Sequence, residues 1–357
     1  MDDSIKTYKC PNCGAALTFD SKTQKLHCSH CDTSIDVEAM KALSDTPSGT
    51  DQDNARWNTS DAGSNWSSGE QQGMRGYHCP TCGAELVTDE TTAASTCAYC
   101  GSPVVLSDHL SGAKRPNYVI PFKVDKKAAK ETLKNFYKGK IFLPRAFSAE
   151  NHLEEISGIY VPFWLYSCES KGSFSFDATR THHYTDGDYD VTETEHYLVL
   201  RDGEARFNNI PVDGSSKMDD AYMDAIEPFD YSAITDFHTD YLPGYAAQTY
   251  DEDATACAPR ATARVKNTTI AAIRRTCDYT TLTPRTSKIS TTQNSVDYAL
   301  LPVWMLTTNW HGKSYHFAIN GQTGKLIGDL PIDKGRFFSL LAGITIPLGI
   351  LLKLFIF

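Results

Sequence analysis

The sequence predicts an α+β protein with two N-terminal metal-binding units, a mainly antiparallel α+β domain and one C-terminal transmembrane helix. Three observations predict it: eight of the eleven cysteines form two sets of paired CxxC motifs, the middle of the chain alternates strand-like and helix-like patterns, and the last residues are apolar over the length of a membrane-spanning helix. These patterns place the metal-binding units at 1–40 and 77–108, a flexible linker at 41–76, the α+β domain at 115–332 and the transmembrane tail anchor at 337–357.

The two sets of cysteines share one spacing, in which fourteen residues separate a CxxC pair from the next CxxC pair. The candidate ligands are Cys10, Cys13, Cys28 and Cys31 in the first set and Cys79, Cys82, Cys97 and Cys100 in the second. Four thiolates in two turns supply the tetrahedral ligands that structural Zn²⁺ takes. The surrounding sequence repeats as well, since YKCPNCGAALTFD from Tyr8 returns as YHCPTCGAELVTD from Tyr77. The sequence therefore predicts two zinc ribbons, each holding one Zn²⁺.

Both zinc sites are expected to be structural. Gly14, Gly83 and Gly101 follow the second cysteine in three of the four pairs, where the turn favours a left-handed backbone. The short hairpins between the pairs bury too little surface for a core, so metal binding would supply the folding free energy, about 10–16 kcal/mol for small zinc sites. Four cysteines leave no ligand position for a catalytic water. Disulfides are the alternative, but the N-terminus MDDSIKTYK carries no apolar signal segment and the remaining three cysteines are odd in number.

Composition and charge limit the function classes. The formal net charge of −10 argues against a general nucleic-acid-binding protein, because phosphate contacts need a basic surface. The segment 41–76 is rich in Ser, Gly, Asp, Asn and Gln, which is typical of a flexible linker. Trp57 and Trp66 interrupt this polar segment. They could form a docking motif, pack against a neighbouring part of the chain or simply be exposed.

The region 115–332 combines strand and helix signals. A strand-like run, YVIPFKV, precedes Asp125, which can cap a helix over 126–137. The apolar strand IYVPFWLYSC from Ile159 contains Pro, an apolar residue and Trp in succession, and so does LLPVWMLTTNW from Leu300. This shared pattern indicates a second internal repeat. This mixture predicts helices on an antiparallel sheet.

Three further helices are predicted, at 218–226, 230–240 and 251–276. Pro259 lies within the first turns of the last of these and could kink it. The helix at 218–226 would carry an acidic face, usually a solvated surface but also a candidate contact for a basic partner. Its acidic residues are Asp219, Asp220, Asp224 and Glu227.

The C-terminal segment changes character. Sixteen residues from Phe337 carry no charge, and the apolar run is twenty-one residues long if it continues past Lys353. A bilayer core about 30 Å thick needs about 20 helical residues, so this segment can just span it. Lys334 and Arg336 precede the run, which favours a cytoplasmic location for the preceding domain. A buried or interfacial helix is the alternative, but Pro347 and the missing polar face favour a tail anchor. The sequence predicts a single-pass protein of the cell membrane whose soluble domains face the cytoplasm.

Catalytic signatures do not occur in the sequence. It contains no GxSxG or HExxH motif, and GQTGKL lacks the first glycine of a phosphate-binding loop. A second metal site could be formed by neighbouring histidines and glutamates, although strand alternation favours a solvated edge. Those residues are His182, His183, Glu193, Glu195 and His196. We therefore expect the protein not to be an enzyme.

Several motifs together resemble a known family. The CPNCGAAL and CPTCGAEL knuckles, GIYVPFWLYSC, IPVDGSSKMDDAYMDAIEPFDY and FAINGQTGKLIGDLP look like the bacterial double zinc-ribbon proteins described as transcription-factor-IIB-type and often labelled primosomal-helicase-like. A helicase would need a phosphate loop and an acidic Mg²⁺ motif, which this sequence lacks. Some similar proteins with a hydrophobic tail belong to phage-shock-type membrane-stress systems. The resemblance implies that they hold a PspA-like or SPFH-domain protein at the membrane.

Two functions of different classes are expected. The first is a non-enzymatic, zinc-binding, membrane-tethered adaptor or scaffold, whose ribbons on a flexible linker recruit protein partners, such as a PspA-like or SPFH-domain protein in envelope stress. The second is a nucleic-acid-binding or transcription-related protein that uses a small basic patch on the first ribbon, diluted by acidic residues and without interleaved aromatics. That patch consists of Lys6, Lys9, Lys22 and Lys25.

Overall fold

The computed structural model describes residues 8, 10, 15–30, 34–38, 40, 55–67, 69–70, 73–92, 94, 96–107, 113–149 and 155–356. Within this part the chain is α+β with antiparallel sheets, as the sequence predicts. The strands are β1 (Thr18–Asp20), β2 (Lys25–His27), β3 (Ser34–Asp36), β4 (Met74–His78), β5 (Glu85–Asp89), β6 (Val105–Ser107), β7 (Tyr118–Val119), β8 (Ser157–Asp186), β9 (Tyr189–Asp213), β10 (Thr235–Asp236), β11 (Ala246–Gln248), β12 (Thr281–Trp310), β13 (Lys313–Asn320) and β14 (Leu326–Gly328). The helices are α1 (Lys126–Tyr137), α2 (Arg145–Ala149), α3 (Asp220–Ala225), α4 (Ala254–Arg274) and α5 (Lys334–Ile356).

The chain divides into two compact units, each built from three segments. The smaller unit comprises Met1–Arg56, Cys168–Phe207 and Thr262–Asn294, and the larger comprises Trp57–Ser167, Asn208–Ala261 and Ser295–Phe357. In the smaller unit, β1, β2 and β3 form an antiparallel sheet. A separate apolar cluster of that unit includes Phe176 and Ile289.

In the larger unit, the strands around the second cysteine set belong to the main sheet. Strand β4 pairs with β5 and β6, and β5 pairs antiparallel with β11, where Leu86 lies opposite Gln248. Strand β11 runs parallel to β8, so the sheet continues from the cysteine unit into the α+β domain. This arrangement differs from the expectation that both ribbons are separate heads on a linker.

Two consecutive βαββ repeats make up the α+β domain. The first runs through β7, α1, β8 and β9, and the second through β11, α4, β12 and β13. The short first strand of each repeat pairs in parallel with the long strand of the other, β7 with β12 and β11 with β8. The repeats are therefore interlocked by exchanged strand pairing.

Equivalent tryptophans make equivalent contacts in the two repeats. The indole Nε1 of Trp164 donates to Glu252 O at 2.9 Å, and that of Trp304 donates to Val124 O at 2.8 Å. Each acceptor lies just before the helix of the other repeat. The alignment of the two Trp strands in the sequence therefore corresponds to a repeated buried contact.

The prolines of the same strands are also equivalent. Pro162 O accepts a hydrogen bond from Gly214 N at 2.9 Å, and Pro302 O accepts one from Gly321 N at 2.8 Å. The carbonyl oxygen of each of these glycines accepts two backbone N–H groups from the segment that leads into the other repeat's helix. Gly214 and Gly321 are thus the points where the two repeats are joined.

Both repeat helices begin at an aspartate. The Asp125 side chain accepts from Ala128 N at 2.7 Å at the start of α1, which matches the predicted helix 126–137. Asp253 accepts from Ala256 N at 2.8 Å at the start of α4. These caps satisfy backbone donors that the first helical turn leaves unpaired.

The repeats differ at the residue before each joining glycine. Asp213 precedes Gly214 and Asn320 precedes Gly321, and both side chains are fully buried. Asn320 Nδ2 donates to Ile226 O at 3.0 Å. Asp213 Oδ1 instead accepts from Arg260 Nη2 at 2.8 Å, whereas its Oδ2 has no hydrogen-bond partner among the described residues. Burial raises the pKa of the Asp213 carboxyl from 3.8 to about 6, although Arg260 opposes the shift.

Part of the predicted linker 41–76 packs on the larger unit. The Trp57 ring lies edge-on to Tyr166 with centroids 4.9 Å apart, and Trp66 lies edge-on to Phe237 at 5.8 Å. Trp66 Nε1 also donates to Ala113 O at 2.9 Å. Packing against a neighbour is therefore what the structure shows for both tryptophans, and this part of the segment does not behave as a free linker.

The remaining helix predictions have different outcomes. Helix α4 lies within the predicted 251–276 and contains Pro259, and α3 lies within the predicted 218–226. The predicted helix at 230–240 is wrong, because that segment forms two 3₁₀ turns flanking β10. Strand β10 pairs antiparallel with β7, so the segment satisfies hydrogen bonds of the sheet.

Helix α5 contains residues 337–356 of the predicted apolar segment, and Phe357 lies outside the described residues. Among the described residues, it is the helix long and apolar enough to cross a membrane, over Lys334–Leu352. None of the residues in that window is buried against the rest of the chain. The protein therefore has one exposed, apolar C-terminal helix.

Candidate metal centre

The second cysteine set lies on two turns of the larger unit. The pair Cys79 and Cys82 lies between β4 and β5, and the pair Cys97 and Cys100 precedes β6. Because β4 pairs with both β5 and β6, the sheet brings the two turns together. The sequence prediction that these four residues form one site is therefore matched by their positions.

The four sulfur atoms have the separations of a tetrahedral metal site. Cys79 Sγ lies 3.5 Å from Cys100 Sγ, and Cys82 Sγ lies 3.6 Å from Cys97 Sγ. All four sulfurs lie within 4.8 Å of one another. Four thiolates at about 2.3 Å from a central Zn²⁺ would be about 3.8 Å apart. The cluster can therefore hold a metal ion without rearrangement of the turns.

The backbone of both turns follows the same pattern. Gly83 N donates to Cys79 O at 2.9 Å, and Gly101 N donates to Cys97 O at 2.9 Å. Both glycines have a φ of +72°, where a side chain would be strained. Cys79 N also donates to Ala84 O at 2.9 Å. These turns direct the two sulfurs of each pair to one point.

The thiols differ in acidity. Burial opposes ionisation of Cys79, but hydrogen bonds from the backbone amides of Cys82 and Thr81 and from neighbouring thiols outweigh it and lower the pKa of Cys79 to about 7. Burial raises the pKa of Cys82 and Cys97. A bound cation would favour four thiolates, because the thiolate is the ligand form of cysteine.

A buried polar network fixes the second knuckle to the sheet. The Tyr99 hydroxyl donates to Gln248 Oε1, and Gln248 Nε2 donates to Ser215 Oγ at 2.6 Å. Thr307 Oγ1 donates to Tyr99 O at 2.7 Å. Tyr99, Gln248 and Ser215 are almost fully buried, so each of these groups needs its partner. Hydrogen bonds thus connect the cysteine cluster to β11 and β12.

A lysine lies beside the first knuckle. A Cβ placed on Gly83 would lie 3.9 Å from Lys217 Nζ. Lys217 pairs with Asp251 at 2.8 Å, and this hydrogen bond, with the nearby Cys82 and Cys97, raises the pKa of the ammonium. A Zn²⁺ with four thiolates carries a net charge of −2, so a fixed positive charge here would stabilise the loaded site.

The first cysteine set is described in part. Cys10 and Cys28 are buried, whereas Cys13 and Cys31 lie outside the described residues. Cys10 N donates to Ala15 O at 2.6 Å, which is the contact that Cys79 N makes with Ala84 O. This shared turn supports the equivalence of the two units, and the four-ligand geometry of the first set stays a prediction.

Other sequence candidates are arranged differently. The metal-ligating side chains that converge among the described residues are the four cysteines of the second set. His182 Nε2 lies 3.9 Å from a Glu195 carboxylate, and His183 Nδ1 lies 3.0 Å from Thr192 Oγ1 on the other face of the hairpin. Alternation along the strand therefore places His182 and His183 on opposite faces of the hairpin.

The acidic face of α3 contacts the second repeat helix. Arg260 Nη1 lies 2.9 Å from Asp220 Oδ1, and Arg260 Nη2 lies 3.8 Å from Asp224 Oδ1. The same guanidinium binds Asp213. Part of the predicted contact surface for a basic partner is therefore paired within the chain.

Sequence reasoning missed the network around Tyr99. A tyrosine inside a CxxC pair is compatible with an exposed knuckle, and its partners Gln248 and Ser215 lie more than a hundred residues away. The antiparallel pairing of β11 with β5 is what brings Gln248 close to Tyr99, and no local pattern indicates that pairing.

Comparison with known proteins gives one near-full-length relative. The chain is 36% identical over 351 residues to uncharacterized protein YdjG of Bacillus subtilis (strain 168). The aligned region covers 98% of this chain and 97% of that protein. No family profile matches the sequence, and no solved structure matches it.

Proposed function

The chain belongs to the family of Bacillus subtilis YdjG, and from its own residues we propose that it is a non-enzymatic, zinc-binding adaptor or scaffold tethered to the cell membrane by α5. Its soluble units would face the cytoplasm and recruit protein partners. The resemblance to membrane-anchored zinc-ribbon proteins of phage-shock-type systems suggests a PspA-like or SPFH-domain partner.

The observation that carries the proposal is the closed cysteine cluster. Cys79, Cys82, Cys97 and Cys100 supply all four ligands of a tetrahedral ion, so a substrate or water has no coordination position. The network through Tyr99 then connects the cluster to the main sheet. A metal in this place stabilises a surface for binding and does not perform chemistry. Zn²⁺ fits the all-sulfur donor set best among common structural metals.

Membrane attachment is supported by the exposed apolar helix. A soluble protein gains free energy by burying such a helix, yet the Lys334–Leu352 window has no buried residue. Lys334 and Arg336 at its start favour retention of the preceding units in the cytoplasm. The second ribbon is part of the main sheet of the larger unit, so it would contribute to recruitment as a fixed part of that unit and not as a mobile head.

Two experiments test the proposal on the full chain. Membrane fractionation with carbonate washing should leave the protein in the pellet, and a variant ending at Gly335 should be soluble. Metal analysis of purified protein should give about two zinc ions per chain. A full-length protein that remains in the soluble fraction would refute the tether, and one without bound metal would refute the zinc centre.

Partner recruitment needs a direct assay. Detergent-solubilised full-length protein should retain a purified PspA-like or SPFH-domain protein, and the retention should fall in a Cys79→Ser variant that has lost its second site. A matched Cys168→Ser variant changes a buried cysteine outside both sets and should keep binding. If the protein instead retains DNA in a salt-sensitive way and neither protein partner, the nucleic-acid alternative replaces the adaptor.

A further inference from the structure

The surface around the start of α5 is strongly basic. The stretch 134–145, KNFYKGKIFLPR, contains four basic residues and no acidic residue, although the whole chain has a net charge of −10. With Lys334 these residues form what we call the basic rim. The rim consists of Lys134, Lys138, Lys140, Arg145 and Lys334, and all of these residues are exposed.

Three contacts hold the first turn of α5 against this stretch. Asp333 N donates to Phe142 O at 2.8 Å, and Arg336 Nη1 donates to Leu143 O at 2.9 Å. The rings of Phe142 and Phe337 pack at 5.5 Å between centroids. Phe142 and Leu143 therefore lie beside the first turn of α5, and the adjoining Lys140 and Lys334 lie near the level where the helix would enter a bilayer.

Exposed apolar side chains accompany the basic ones. Ile141 is 64% exposed, and Phe337 and Phe338 are 42% and 61% exposed. Exposed Phe and other apolar side chains next to Lys and Arg are typical of segments at the boundary between headgroups and acyl chains. The Asp333 carboxylate lies just before α5 and pairs with Arg336 at 3.3 Å. It therefore reduces the positive charge of the basic rim only a little.

We propose that the basic rim binds the phosphate groups of anionic phospholipids in the membrane that anchors α5. This inference rests on the proposed membrane tether, and it adds a lipid class that the tether alone does not require. Each Lys or Arg near an anionic membrane surface favours the bound arrangement by about fivefold. The basic rim would fix the orientation of the larger unit on the bilayer, because α5 supplies one attachment point and the rim supplies a second. An acidic protein would match the charge but would leave Ile141 and the two phenylalanines without an apolar environment.

Lysine modification in nanodiscs tests the rim. Full-length protein is reconstituted into discs of phosphatidylcholine alone or of phosphatidylcholine with phosphatidylglycerol, and the rate of amine acylation at each lysine is followed by mass spectrometry. Lys138 and Lys140 should react about fivefold more slowly in the anionic discs, relative to the exposed reference Lys288, and high salt should remove the difference. Equal rates in the two disc types would overturn the proposal and would leave a protein partner as the occupant.

Two double variants, one just after the C-terminal end of α1 and one at its N-terminal end, provide the control. The Lys138→Glu/Lys140→Glu variant should abolish the protection of Lys134 and Lys334 from acylation in anionic discs. The matched Lys126→Glu/Lys127→Glu variant changes the opposite end of α1, about 18 Å away along the axis, and should retain the protection. If both variants behave alike, the rim is not the lipid site. A protein that enters neither disc type refutes the tether itself, whereas one that enters both equally without lipid-dependent protection refutes the rim alone.

Discussion

Replacement of Asp213 by Asn should stabilise the protein at neutral pH. Burial raises the pKa of Asp213 from 3.8 to about 6, so between these values the folded state holds a proton that the unfolded state has lost. Stability therefore falls as pH rises through this window, and the ionised carboxylate costs about 3 kcal/mol at pH 7. Asn cannot ionise and occupies the equivalent buried position in the second repeat, at Asn320. The advantage of Asp213→Asn should shrink to about half at pH 5, where the folded wild-type carboxyl is mostly protonated.

Denaturant unfolding of detergent-solubilised full-length protein measures this difference. Tryptophan fluorescence reports on the larger unit, which contains Trp164 and Trp304. Acidic conditions also weaken thiolate–metal bonds, but that effect is common to both proteins and cancels in their difference. A variant less stable than wild type at pH 7 would show that the Arg260 ion pair outweighs the burial of the charge. A difference that does not change with pH would show that folding does not shift the pKa of Asp213.

Three further predictions follow from the repeats and the cysteine cluster. Asn320→Asp should destabilise the fold by several kcal/mol at pH 7, because it replaces the donor to Ile226 O with a buried charge, and an unchanged unfolding midpoint would contradict this. Gly214→Ala and Gly321→Ala should each cost about 1–3 kcal/mol, since a Cβ would lie 2.8 Å from Trp164 Nε1 and 2.6 Å from Phe122 Cδ1. The control Gly69→Ala, whose Cβ meets no atom within 4 Å, should change stability by less than about 0.5 kcal/mol. Cys79→Ser should lower the metal content measured by mass spectrometry and the unfolding midpoint of the larger unit, whereas Cys168→Ser should preserve the metal content.

Local patterns predicted the parts of the fold that depend on neighbouring residues. The spacing of the cysteines placed Cys79, Cys82, Cys97 and Cys100 in one cluster, because a CxxC turn and its glycine are local structures. The helix over 126–137 and its cap also follow from adjacent residues. The shared Pro and Trp positions indicated a repeat, which the structure shows as two βαββ units.

Long-range pairing was outside the reach of these patterns. Periodicity cannot indicate that β7 pairs with the long strand of the other repeat, since the same residues suit any parallel neighbour. The ion pair between Asp213 and Arg260 was also missed, because Asp before Gly in IPVDGSSK is typical of an exposed turn. The fold buries that turn under α4, and only the assembled repeats show the change.

The duplicated knuckles differ in the exposure of one residue inside the CxxC pair. Tyr99 stands third in its CxxC pair and is buried, with its hydroxyl bound to Gln248. The equivalent residue of the first ribbon is His30, which is exposed. A knuckle held by buried hydrogen bonds cannot offer the same side chain to a partner, because each broken bond would leave a desolvated polar group. A partner that binds a knuckle side chain would therefore fit the first ribbon better, whereas the second ribbon would contribute a fixed surface of the larger unit that depends on its cysteine cluster.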